Sequence, residues 1–286
     1  MQPMRTVRPA AVAGMFYPEA PRALEGSVRA LLSVAPRPAA SAAASYPKAL
    51  IVPHAGYVYS GPIAASAYVR LFTSRSRIHR VVLLGPVHRV PVRGLVLPGA
   101  NTFTTPLGAV AVDADAVMQL RALPQVSESE AAHSLEHSLE VQLPFLQTVL
   151  DEFTLVPLAV GDATPAEVAD VIERLWGGPE TLIVVSSDLS HYHPYEDATE
   201  IDRCTADDIL ALASTLDHDQ ACGATPINGF ALCARRHGLT PELIDLRNSG
   251  DTAGDKSRVV GYGAFAFAQS APEGIAVRHL EEPVDA

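Results

Sequence analysis

Basic charge is scarce in this chain. Lys and Arg number 21 against 32 Asp and Glu, a formal net charge of -11. The cationic stripe needed to neutralise a phosphate backbone is missing, so nucleic acid is not the expected partner. Long hydrophobic runs are also missing: none reaches the roughly 20 apolar residues of a membrane-spanning helix. The opening MQPMRTVRPAAVAGMFYP has neither the apolar stretch nor the small-residue cleavage site of a secretory leader. The expectation is a cytoplasmic protein with no membrane partner. There are 3 cysteines, Cys204, Cys222 and Cys233, with no C-x-x-C pair. That excludes a disulfide framework and predicts reduced thiols. Cys204 lies in a polar helical stretch and Cys233 in an apolar one, where surface exposure and core packing account for them.

What is present is ordinary core-forming material, 48% hydrophobic and 19% charged, which supports a folded body. Residues 20–33 have helical spacing and lead into an Ala/Pro/Ser stretch with no periodic face, read as a loop over 36–47. Beyond it, short aliphatic runs (ALIV, VVLL, LVL, TLVPLAV, TLIVVSS) alternate with amphipathic segments of helical length. This pattern predicts an α/β fold, a mostly parallel central sheet with helices on both faces. Helices are expected near 61–73, 113–123, 136–150, 164–176, 196–216 and 227–237. NTFTTPLGAVAVD reads as a hairpin and VVGYGAFAFA as a closing core strand. Strand signals run along the whole chain, so one domain over 1–286 is expected, with 270–286 as a tail.

Ligands of open α/β sheets bind outside the carboxyl ends of the strands. His54 ends ALIVPH, His88 ends VVLLGPVH, and Asp188 with His191 follows LIVVSS, so three strand ends deliver imidazole or carboxylate to one rim. A single histidine after a strand is usually a hydrogen-bonded loop residue; the coincidence of several points to a metal or proton-transfer site. A second cluster, His133, Glu136, His137 and Glu140, has i,i+4 spacing on a helix but lacks the H-E-x-x-H order of a metalloprotease. Helix capping accounts for that segment equally well, with Glu136 and His137 able to reach the cleft from the side. His79, His193, His218, His237 and His279 fit surface or capping roles. Tyr17, Tyr57, Tyr59 and Tyr192 fit either a pocket wall or the core.

The strings AGMFYP (13–18), PHAGYVYSGPIAA (53–65), LLGPVH (83–88), EHSLEVQLPFL (136–146), SSDLSHY (186–192), CGATPI (222–227) and NSGDTAGDKSRVVGY (248–262) run through the chain in order. With them the sequence resembles the Memo family, whose bacterial and archaeal members are called AmmeMemoRadiSam system protein B. That family is similar in fold to the class III extradiol dioxygenases, which hold non-haem iron with two histidines and a carboxylate. The resemblance implies His54 and His88 as metal ligands, Cys222 as the third, Asp188 in the same site and His191 as the acid/base histidine. A thiolate where those dioxygenases keep a carboxylate shifts the site toward Cu(I), Zn or thiolate-bound iron. Cys222 precedes Gly223 and Pro226 at a loop-to-helix junction, where a helix N-terminus would favour the thiolate. The implied cofactor is one metal ion, iron or copper, with zinc as the alternative. The implied activity is that of a dioxygenase-like redox protein acting on a small molecule or peptide in the cleft. A non-catalytic metal- or peptide-binding protein and a zinc hydrolase are the competing readings. The family name also associates such proteins with radical SAM and AMMECR-type proteins.

Overall fold

Aliphatic side chains fill both faces of a buried pleated ribbon, and the aliphatic runs accordingly become strands. The computed structural model describes residues 6–37 and 47–269. Its strands are β1 (Val7–Arg8), β2 (Pro47–Val52), β3 (Arg80–Pro86), β4 (Leu95–Leu97), β5 (Thr102–Thr105), β6 (Gly108–Ala111), β7 (Val126–Glu128), β8 (Thr154–Val160), β9 (Thr181–Ser186), β10 (His191–His193), β11 (Leu239–Asn248) and β12 (Val259–Gln269). Its α-helices are α1 (Pro21–Val34), α2 (Tyr57–Tyr68), α3 (Ala114–Leu120), α4 (Glu130–Ser134), α5 (Leu143–Val149), α6 (Pro165–Arg174), α7 (Tyr195–Leu210), α8 (Ala224–Arg236) and α9 (Ser249–Thr252).

Nine strands make one sheet in the order β10-β12-β2-β9-β3-β8-β4-β7, with β11 on the other edge of β12. The centre, β2-β9-β3-β8, is parallel throughout, as the strand–helix alternation predicts. The flanks make the sheet mixed: β12 runs antiparallel to β2 and β11, and β4 antiparallel to β8. Side chains alternate between faces along each central strand. Val81 and Leu83 of β3 enter one core, with Leu24 of α1, Ile63 of α2 and Phe145 of α5. Val82 and Leu84 enter the opposite core, with Ile172 of α6 and Phe230 of α8. Helices therefore cover both faces. The predicted hairpin forms as β5 and β6, joined to β1 in a small separate sheet.

Two segments depart from the sequence reading. The helix expected over 136–150 is only α5, preceded by a 3-10 turn at Glu140–Gln142. The Glu136 carboxylate accepts the backbone N–H groups of His137 and Ser138, holding this stretch outside the helix. Pro144 then sits in the first turn of α5, where proline is tolerated. β11, a ten-residue strand that contains Pro241, has no counterpart in the sequence reading. Among the described residues it pairs only with β12, and an edge strand is where a proline costs no ladder bond. Of the loop read at 36–47, residues 38–46 lie outside the described residues and Pro47 already belongs to β2; the tail at 270–286 also lies outside them. Among the described residues no helix is long and apolar enough to cross a membrane.

Candidate metal centre

The strand order explains how the site assembles. β2, β9 and β3 are adjacent and parallel, so the residues just beyond their carboxyl ends, His54, Asp188 and His88, converge on one rim. Cys222 arrives from the loop before α8. Two glycines permit the close approaches. A Cβ on Gly85 would lie 2.8 Å from Ser138 Oγ, and one on Gly223 would lie 2.6 Å from Ser187 Cβ. His54, His88 and Cys222 thereby each place one donor atom within 4.8 Å of the others'.

Hydrogen bonds determine which imidazole nitrogen faces this point. Ser186 Oγ donates to the Ser138 carbonyl at 2.6 Å and accepts from Gln142 Nε2 at 2.8 Å, so its one hydrogen is committed. His54 Nδ1, 2.9 Å from the same oxygen, must be the donor, which leaves its Nε2 with a free lone pair. That Nε2 lies 3.4 Å from Cys222 Sγ. Gln142 is fixed in turn by donating to the Pro53 carbonyl at 2.9 Å and accepting from Tyr68 Oη at 2.9 Å. His88 follows the same logic. Its Nδ1 donates to Glu136 Oε1 at 2.9 Å and its backbone N–H to Oε2 at 2.6 Å, so its Nε2 is also released.

Burial sets the protonation states. Desolvation holds the His54 imidazole down at about 4, against a smaller opposing pull from Asp188, so it is neutral at neutral pH. Desolvation, and then the Asp188 charge, push the Cys222 thiol up to about 12. Burial therefore works against the thiolate that the loop-to-helix junction was expected to favour. The junction itself exists, with Gly223 as the N-cap of α8, but burial outweighs it. A metal ion would have to displace the thiol proton. Burial alone would raise Glu136. Hydrogen bonds from His137, His88 and Ser138 overcome it and hold this carboxyl well below the usual carboxylate range.

His88, Glu136 and His137 form a second triplet of neighbouring donors. It is the poorer metal site, because the Glu136 oxygens already accept four N–H groups and His88 spends its Nδ1 on one of them. His137 nonetheless reaches the cleft: its ring centroid lies 4.6 Å from that of His88 and 5.3 Å from that of His54. His133 does not. It is buried, donates Nε2–H to the Val96 carbonyl at 2.8 Å and packs edge-on against Phe103. The helical face that the spacing suggested is broken at residue 135.

Asp188 accepts the His54 backbone N–H at 2.7 Å through Oδ1, and its Oδ2 lies 4.0 Å from His54 Nε2. His191 is half-buried on β10; its Nδ1 donates to the Leu189 carbonyl at 2.8 Å, and its ring meets Tyr192. Tyr192 has φ 63°, in the left-handed region where a tyrosine is strained, at the register shift between β10 and β12. Tyr17 and Tyr57 are core residues, whereas Tyr59 and Tyr192 are exposed. Cys204 is exposed and Cys233 buried, as read from their surroundings.

Sequence reasoning passed over Arg8. It is buried and paired with Glu140, which is 0% exposed and also accepts from Tyr17 Oη. Arg8 Nε donates to the His133 carbonyl at 3.0 Å and Nη2 to the Glu136 carbonyl at 2.6 Å. It clamps the backbone that carries Glu136 and His137. A lone arginine in a two-residue strand gives no periodic signal.

A solved structure of an uncharacterized protein from Escherichia coli K12 superposes with a TM-score of 0.50 at 16% identity, covering 76% of this chain and 98% of that one. That likeness is one of fold. A MEMO1 family protein of Sulfolobus acidocaldarius is 34% identical, covering 91% of this chain and 99% of its own length. MEMO1 family proteins of Aquifex aeolicus, at 36% over 91% of this chain and 99% of theirs, and Archaeoglobus fulgidus, at 37% over 90% and 97%, are similarly related. The family model described as Memo-like protein matches residues 8–266, which contain every residue of the site, and the chain belongs to that family.

Proposed function

We propose that this protein is a cytoplasmic, metal-dependent oxidoreductase that holds one ion through His54 Nε2, His88 Nε2 and Cys222 Sγ. The observation that carries the reading is the pinning of both imidazoles through Nδ1, with one donor atom each of His54, His88 and Cys222 lying within 4.8 Å of the others. Two imidazoles and a thiolate fit iron or copper, with zinc as the redox-inert alternative. When bound, such an ion supplies a Lewis-acidic, redox-active centre with room for a further ligand.

The chain's own residues do the rest. Ser186 and Glu136 hold the two rings in the binding tautomer, and Gln142 and Arg8 hold those two in place. Asp188 fixes the His54 backbone and puts a carboxylate oxygen beside the donors. His191 keeps Nδ1–H on Leu189 and offers Nε2 as a proton acceptor, the role we assign to it. The test is oxygen consumption by the metal-loaded protein across candidate reductants. Activity that disappears in His191→Ala while the metal stays bound supports the assignment, and unchanged turnover in that variant refutes it. A metal-loaded protein inert toward oxygen with every candidate would favour a binding role for the cleft. Zn-dependent, oxygen-indifferent turnover would favour hydrolysis.

A further inference from the structure

A cavity of about 480 Å³ opens beside the donors, with His88 and Cys222 in its wall. The volume lies within the span of roughly 300–1,000 Å³ usual for small-molecule pockets. Val87, Pro91, Val92 and Val160 make the apolar part of the lining. Among the described residues no Lys or Arg lines it. Its one acidic residue, Asp162, is 87% exposed and stands 3.9 Å from Arg93, itself 77% exposed. A carboxylate or phosphate on the body of a ligand would find no lysine or arginine among the described lining residues, whereas an apolar body gains against the aliphatic side chains. Thr225 Oγ1 and His218 Nε2, 3.3 Å apart, add a polar pair. His218 is exposed, as its sequence context suggests, and also lines this cavity.

We propose that this cavity binds an uncharged small molecule whose apolar body lies against Val87, Pro91, Val92 and Val160 and whose single donor atom points to the His88 and Cys222 end. The inference rests on the metal reading above and narrows its ligand class: substrates whose body carries an anionic group are disfavoured. Asp188 and His191 are not part of its lining, so ligand selection and the assigned proton acceptor reside in different residues.

The full-length protein loaded with Co(II) tests this by absorption titration with imidazole, 4-phenylimidazole and 4-(4-carboxyphenyl)imidazole, a carboxylate that cannot chelate the ion. The expected result is 4-phenylimidazole binding at least tenfold more tightly than imidazole, with the carboxylate no tighter than imidazole. Thr225→Phe, which fills the cavity, should erase the phenyl advantage, with cobalt content checking that fold and metal site persist. Equal affinities for imidazole and 4-phenylimidazole in the parent protein, or strongest binding of the carboxylate, would overturn the proposal. Failure of the metal reading itself is separately visible as absent cobalt absorption before any probe is added, and it removes the inference with it.

Discussion

Replacing Arg8 by Met should destabilise the protein by about 3–5 kcal/mol, the usual cost of removing one partner from a buried ion pair. The Glu140 carboxylate left behind is 0% exposed, and its remaining donors are the Ala11 and Val12 N–H groups and the Tyr17 hydroxyl, none of them charged. The carbonyls of His133 and Glu136 lose a charge-assisted donor as well. Against a total stability of roughly 5–15 kcal/mol, a loss of this size is about a fifth or more. For a chain of this length it lowers the melting temperature by about 10 °C. Urea unfolding of parent, Arg8→Met and Arg8→Lys at one pH measures it. Lys keeps the charge but cannot reach three acceptors with a planar fork, so its cost should fall between the other two. Metal affinity should drop with stability, because the clamp carries Glu136. A loss under about 1 kcal/mol for Arg8→Met, or a lysine variant no better than methionine, would refute the clamp.

Glu136→Gln removes the charge that orients His88 without touching a donor, and metal affinity should fall about 10- to 100-fold, measured by competition with a chromophoric chelator; unchanged affinity would deny Glu136 that role. Burial pushes the Asp202 carboxyl up to about 6, although it accepts the Ser190 N–H at 3.0 Å, and the native state therefore binds this proton more tightly than the unfolded chain. Stability from this group is greatest below about 4 and is lost as pH rises through about 6. Asp202→Asn should flatten the stability profile over that window and be no less stable than the parent at pH near 7.5, by urea midpoints across pH. A variant that keeps the parent's slope would contradict the sign.

The central strands and the histidines that follow them are legible in sequence because each signal is local: an aliphatic run, then a polar residue at the strand's carboxyl end. Cys222 carries no such signal. Its thiol meets His54 across 168 residues of chain, and only the family resemblance marked it beforehand. The supporting shell was harder still. Ser186, Gln142 and Arg8 matter through long-range hydrogen bonds that no periodicity records, and Glu136 captures two backbone N–H groups where its neighbours' spacing suggests a helix. β11 has no counterpart in the sequence reading and contains a proline that an edge strand tolerates.

The most direct test of the account is the metal content, by elemental analysis, of anaerobically purified parent protein beside His54→Ala, His88→Ala and Cys222→Ser. The account predicts near-stoichiometric iron or copper in the parent and its loss in all three variants. A parent that is metal-free and cannot be loaded, or variants that keep their metal, would contradict it.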